Sequence, residues 1–240
     1  MTIRAVLFDL GNTLVYSHPE VIFQRILAEN GIAISIDEVT DALIRGNAEF
    51  DIEKHEGLSA HEFYTRWNTV HLKHLGLKGP RARKLAATIN YQWQNYAEFH
   101  LYPDVQETLS KLKKMGLKLG IITGGYEEDI EMILPKTGLA ELFDVKVGVN
   151  TAGKRKPNPK AFKYALKQLN LKPSEAIFVG DNLKADYEGA EKVGMMPVLI
   201  RRRSPPAQRL FTDPCSEISS EIRTIETLDE IFGVLETINP

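Results

Sequence analysis

Short, almost unbroken apolar runs recur along the chain, and most end at a polar residue. Ile3–Phe8 stops at Asp9, Leu117–Ile122 stops at Thr123, and Ala176–Val179 stops at Gly180-Asp181. Val145–Val149 leads into a loop containing Gly and Pro, and Pro197–Ile200 completes the series. Apolar runs without alternation predict strands buried on both faces, the pattern of a parallel sheet. Between them the apolar positions fall at helical spacing. Asp104–Met115 aligns Val105, Leu109 and Leu112 and meets Gly116 as a stop. Asn158-Pro159 reads as an N-cap followed by a proline in the first turn, opening a helix over Lys160–Leu169. Leu183–Val193, closed by Gly194, and Thr227–Leu235 are the remaining helices of this kind. Alternation of strand and helix predicts an α/β chain with a doubly wound, mostly parallel sheet.

One stretch departs from that alternation. From about Ser17 to His100 the pattern is helical, with candidate helices at Val21–Glu29, Ile36–Asn47, Ala60–Leu75 and Arg81–Ala97. Gly31, Gly57, Gly76 and Gly79 punctuate them. Residues 1–16 and 101–240 are therefore expected to form the α/β core, and residues 17–100 a helical domain inserted after the first strand. In open α/β sheets ligands bind outside the carboxyl ends of the strands, so an insert at that point is expected to act as a lid.

Composition narrows the partners. The formal net charge of −2 gives no global basic field, which argues against nucleic acid and anionic membrane. The dense basic run Arg201-Arg202-Arg203 follows a strand and is expected to be a solvated strand end. A single cysteine, Cys215, excludes an intrachain disulfide and fits a reducing, cytoplasmic setting. It has no neighbouring His to activate it as a nucleophile. No apolar window is long enough to span a bilayer. None of the histidines has a strong metal spacing, and His71 and His74 are expected at the surface or partly packed. Phe63, Tyr64, Trp67 and Trp93 are expected in the core of the helical insert. Oligomeric state is left open by these patterns.

The polar ends of the strands carry the chemistry. In a parallel sheet they gather along one edge, bringing Asp9, Thr123 and Asp181 together, with Lys154 and Lys156 on a loop heading the same way. Each residue alone would be an ordinary cap, turn or solvated side chain. Convergent carboxylates with a cation and a hydroxyl suit a hard Mg²⁺ ion and a phosphate group.

Four motifs carry a resemblance to a known family. They are FDLGNTL with Asp9 and Thr13, IITGG with Thr123, KPNPKAF with Lys156, and VGDNLKADYEGA with Asp181 and Asp186. In this order and spacing the chain resembles the haloacid dehalogenase (HAD) superfamily over nearly its whole length. The resemblance implies a Rossmann-like core with a helical cap. It also implies a magnesium-dependent phosphohydrolase acting on a small phosphorylated metabolite through an aspartyl-phosphate on Asp9. By the same resemblance, Thr123, Gly124, Lys156 and Asn12 would bind the substrate, with Thr123 and Lys156 also serving the chemistry. Asp9, the backbone carbonyl of Gly11, Asp181 and Asp186 would hold Mg²⁺.

One position departs from the family's pattern. Most phosphatases of the superfamily have a second Asp two residues after the nucleophile, acting as general acid/base, and here that position is Gly11. The metal contact through a backbone oxygen survives the change, but the proton-transfer group does not. Such a group typically contributes ~10²–10⁴-fold. The expectation is that another residue or a water substitutes, or that the substrates have good leaving groups. A 2-haloacid dehalogenase is the nearest alternative, but such enzymes lack the metal-binding Asp that stands here as Asp181. A non-catalytic phosphate-binding protein is the alternative from another class, supported only by Gly11.

Overall fold

The computed structural model describes residues 2–203, 219 and 221–238, so Cys215 lies outside the described residues. In chain order the elements begin with β1 (Ala5–Phe8), β2 (Val15–Tyr16), α1 (Pro19–Glu29), α2 (Ile36–Glu49), α3 (Ala60–His74) and α4 (Gly79–Tyr96). Then come β3 (His100–Leu101), α5 (Val105–Lys114), β4 (Lys118–Ile122), α6 (Glu127–Thr137), β5 (Val145–Val147) and α7 (Val149–Ala152). The chain ends with α8 (Pro159–Leu169), β6 (Ala176–Gly180), α9 (Glu188–Val193), β7 (Met196–Ile200), β8 (Thr224–Ile225) and α10 (Ile231–Ile238). By internal packing these fall into two compact units, residues 17–98 forming one and the sheet with its helices the other.

The sheet has six strands in the order β5-β4-β1-β6-β7-β8, and every pairing is parallel. This is the doubly wound α/β arrangement expected from the apolar runs. Both faces are buried, and successive residues serve opposite faces. Val6, Phe8, Leu119, Ile121, Ile177 and Val179 pack on one face with Leu109 and Leu112 of α5, Ile130 of α6 and Ile231 of α10. Ala5, Leu7, Val145 and Phe178 pack on the other with Phe162, Ala165 and Leu166 of α8 and Ala190 of α9. β2 and β3 form a separate antiparallel pair.

The helical unit is closed by local signals and an apolar interior. Ser35 and Ser59 each accept a bond from the N3 backbone N–H of α2 and α3, and Glu38 and Glu62 return it to complete capping boxes. Inside lie Phe23 and Ile26 of α1, Val39 and Leu43 of α2, Phe63 and Leu72 of α3, and Ala86 and Ile89 of α4. His71 corrects the expectation of an at most partly packed histidine, being only 2% exposed. Its ring lies against Gly46, where an added Cβ would sit 2.1 Å from His71 Cδ2. Among the described residues no helix is long and apolar enough to cross a membrane.

Candidate active site

The strand order reverses at β1, with β4 on one side and β6 on the other, and such a switch point opens a crevice at the carboxyl ends. Asp9 follows β1 directly, and its N–H donates to the Val179 carbonyl of β6 at 2.9 Å. The register pairs Phe8 with both Ile121 and Val179. Thr123 and Asp181 therefore each stand one residue beyond the level of Asp9 on the flanking strand ends. The convergence expected from the sequence is a consequence of this register.

Lys156 ties the acids together. Its Nζ donates to Asp9 Oδ1 at 2.6 Å and to Asp186 Oδ1 at 2.6 Å. The Lys156 side chain is only 3% exposed, so these are charge-assisted bonds in a screened-off setting. Of the two lysines on this loop, it is Lys156 that the fold sets between the carboxylates. Asn158 caps α8 by accepting from the Lys160 N–H at 3.1 Å, which fixes the loop two residues after the lysine.

Asp186 reaches the cluster through a detail the sequence did not reveal. The predicted helix from Leu183 begins instead as a wide π-type turn over Leu183–Tyr187, and regular α9 starts only at Glu188. Turns of this kind are frequent at functional sites. Asn182 opens the turn by accepting from the Ala185 N–H at 2.7 Å, and its own N–H donates to Asp186 Oδ2 at 3.0 Å. A Cβ on Gly180 would lie 2.3 Å from that same Oδ2, so a residue without a side chain leaves room for the carboxylate. The ligand oxygens of Asp9, Asp181 and Asp186 all lie within 4.8 Å of one another.

The electrostatics follow from three acids and one base in a confined space. Burial raises the Asp9 carboxyl to about 6, with the Asp186 charge adding to the rise and Lys156 opposing it. Burial, Asp9 and Asp186 together push Asp181 well above the usual carboxylate range. Burial alone would lower Lys156, but Asp186 and Asp9 outweigh it and hold the ammonium protonated. If all were ionised, the cluster would carry two net negative charges, a mismatch that a divalent cation offsets. Oxygen donors at this spacing suit a hard cation, so the residues fit a metal of that type.

On the β4 side, Thr123 Oγ1 accepts from the Gly125 N–H at 3.1 Å, which leaves the hydroxyl proton to donate elsewhere. The Thr123 N–H donates to Val147 and the Val149 N–H donates to Gly125, so the TGG loop is pinned to β5 and α7. The Gly124 carbonyl accepts from Arg155, whose guanidinium also lies 4.9 Å from the centre of the Tyr126 ring.

The loop after Asp9 is a tight turn in which the Leu14 and Val15 N–H groups both donate to the Leu10 carbonyl. Asn12 sits at φ 54°, a left-handed conformation that Asn tolerates, and its N–H donates to Val15 at 2.7 Å. Gly11 is exposed, its φ lies outside the left-handed region, and an added Cβ would meet nothing within 4 Å. The backbone therefore does not demand a glycine there.

Two arginines were missed by sequence reasoning. Arg155 stands beside Lys156 in a run that gives no separate signal. Arg202, expected to be solvated, is buried: its side chain is 4% exposed and pairs with Asp104 at 2.5 Å. Its partners lie far away in the sequence, which is why a basic run could not announce them.

Known proteins resemble this chain in sequence and in fold. A glyceraldehyde 3-phosphate phosphatase from Methanopyrus kandleri is 34% identical over 83% of this chain and 84% of its own. A phosphoglycolate phosphatase from Pseudomonas savastanoi pv. phaseolicola is 29% identical over 82% of this chain and 69% of its own. The crystal structure of a HAD phosphatase from Thermococcus onnurineus superposes with a TM-score of 0.63 at 27% identity, covering 97% of this chain and 98% of that one. The family model for haloacid dehalogenase-like hydrolases matches residues 3–194, a span that takes in all four strand-end motifs. Motifs, sheet order and relatives agree, and the chain belongs to the haloacid dehalogenase-like hydrolases.

Proposed function

We propose that the protein is a Mg²⁺-dependent phosphatase that transfers the phosphoryl group of a small phosphorylated metabolite to Asp9 and then to water. The observation that carries this reading is the buried cluster in which Lys156 bridges Asp9 and Asp186 while Asp181 stands within carboxylate reach of both. Asp9 is the nucleophile: it is the acid at the end of the central strand and is held against the lysine. Lys156 offsets the repulsion between the Asp9 carboxylate and an incoming phosphate dianion. Thr123 donates its hydroxyl proton to a phosphoryl oxygen, joined by the Gly124 backbone N–H, and so orients the phosphorus for in-line attack.

Asp9, Asp181, Asp186 and the Gly11 carbonyl would hold the cation, with Asn12 shaping the turn that presents the carbonyl. When bound, Mg²⁺ supplies charge stabilisation for the phosphoryl oxygens. With Gly11 in place of an acid, no side chain at that position protonates the leaving group. The glyceraldehyde 3-phosphate and phosphoglycolate phosphatases named above act on small phosphorylated metabolites, which supports a substrate of that class here, and the single cysteine supports a reducing cytoplasmic setting.

The test is hydrolysis of p-nitrophenyl phosphate with Mg²⁺ and with EDTA, beside Asp9→Asn. Turnover that needs both the metal and Asp9 is expected. Turnover that survives EDTA or the Asp9→Asn change would refute the reading. Chloride release from 2-haloacids without phosphatase activity would replace it with attack on carbon.

A further inference from the structure

Arg202 follows β7 closely, and its guanidinium reaches back to the loop that carries Asp9. Nε and Nη2 donate to the Thr13 carbonyl at 3.2 and 2.8 Å. Nη1 donates to Asp104 Oδ2 at 2.5 Å, and the same carboxylate oxygen accepts from the Leu228 N–H at 2.6 Å. The guanidinium also lies over the Tyr102 ring, 4.2 Å from its centre, and the Tyr102 N–H donates to the Leu14 carbonyl at 3.2 Å. The side chain is thus fixed on every side before it touches the loop. Asp104, the residue before α5, makes no cap bond with its side chain, and its Oδ2 is held in this network instead.

We infer that Arg202 is a positioning residue for the metal site, setting the orientation of the Gly11 carbonyl by clamping the Thr13 carbonyl. The inference rests on the proposed function, in which that carbonyl faces the cation. The physical link is short. Residues 9–15 form one turn closed on Leu10, so a shift at Thr13 reorients the peptides between it and Asp9. Thr13 is itself fully buried and cannot be held by solvent. Two donors on one carbonyl constrain its direction as well as its distance, which a single point charge does not do.

The clamp and the ion pair can be separated. Arg202→Lys keeps a cation beside Asp104 but cannot also give two bonds to Thr13. Asp104→Asn keeps the guanidinium and its hold on Thr13 while removing the ion pair. Mn²⁺ binding to the metal-free protein, followed by electron paramagnetic resonance of the free ion, reads the metal site independently of turnover. The half-activating Mg²⁺ concentration for p-nitrophenyl phosphate is the second readout, and Tm is the control for folding.

Groups that orient a metal ligand typically contribute about tenfold or more to affinity. Arg202→Lys is therefore expected to weaken Mn²⁺ binding and Mg²⁺ activation about tenfold, and to lower Tm as well, because the buried Thr13 carbonyl loses its donors. Asp104→Asn is expected to lower Tm while leaving metal affinity within a factor of about two. Unchanged Mn²⁺ binding in Arg202→Lys, or an equal loss of binding in both variants, would overturn the inference and leave the network a structural one. If the unaltered protein binds no Mn²⁺, the metal-dependent reading itself fails and this inference falls with it.

Discussion

Replacing Gly11 with Asp asks whether leaving-group protonation is what this active site lacks. The structure puts no barrier in the way. Position 11 is exposed, its φ is outside the left-handed region, and a Cβ there would have no neighbour within 4 Å. A positioned general acid is worth ~10²–10⁴-fold. An introduced group without evolved supports should reach the lower end, about 10²-fold, or about 2.7 kcal/mol in the barrier. That gain belongs to alkyl phosphates, whose alkoxide leaves poorly without a proton. Hydrolysis of p-nitrophenyl phosphate should barely change, since its phenolate leaves unaided. The assay is kcat/KM for glycerol phosphate and p-nitrophenyl phosphate with Gly11→Asp and the unaltered protein. Equal acceleration of both substrates, or of neither, would refute the reasoning, because protonation would then not be the missing step.

Three further outcomes follow from named contacts. Gly180→Ala should force Asp186 out of its place, since the new methyl would sit 2.3 Å from Asp186 Oδ2. It should weaken Mg²⁺ activation about tenfold, and an unchanged activation curve would contradict the assigned role of Asp186. Lys156→Met removes the base from between two buried acids, a loss that typically costs about 3–5 kcal/mol. Tm measured in EDTA should fall by about 10 °C and recover in part with Mg²⁺; an unshifted Tm would mean the lysine does not hold the cluster. His71 contributes one part of the pH dependence of stability. Burial lowers its pKa from 6.5 to about 4, the nearby His74 adding to the effect. The unfolded chain therefore binds the proton more readily. Its contribution, about 3 kcal/mol, is complete above pH 6.5 and is lost as pH falls towards 4. Urea titrations from pH 7 to 4 should show a shallower loss in His71→Gln, and parallel curves would contradict the assignment.

Much of the core was readable because a parallel sheet buried on both faces writes itself as unbroken apolar runs. All five strands so marked begin and end within two residues of the run that announced them. The acids at their ends then converge by register alone. Other features depend on contacts that no local pattern encodes. β2, β3 and β8 are two residues long and show no period. The π-type turn that delivers Asp186 looks like the first turn of a helix in sequence. Arg202 bonds Thr13 across 189 positions of chain, so a basic run reads as solvated until the fold is known. His71 did leave a trace. It falls at helical spacing from Trp67 and beside Leu72, on the stripe that α3 turns inward, and its polar ring concealed that.

In the proposed mechanism the phosphoryl group passes through Asp9. Rapid acid quench of the enzyme during turnover of a phosphomonoester with Mg²⁺, followed by peptide mass spectrometry, tests it directly. A phosphorylated Asp9 is expected in the peptide bearing FDLGNTL, formed at least as fast as the steady-state rate and absent in Asp9→Asn. Full turnover with no phosphorylated peptide, or with the phosphoryl group on another residue, would contradict it.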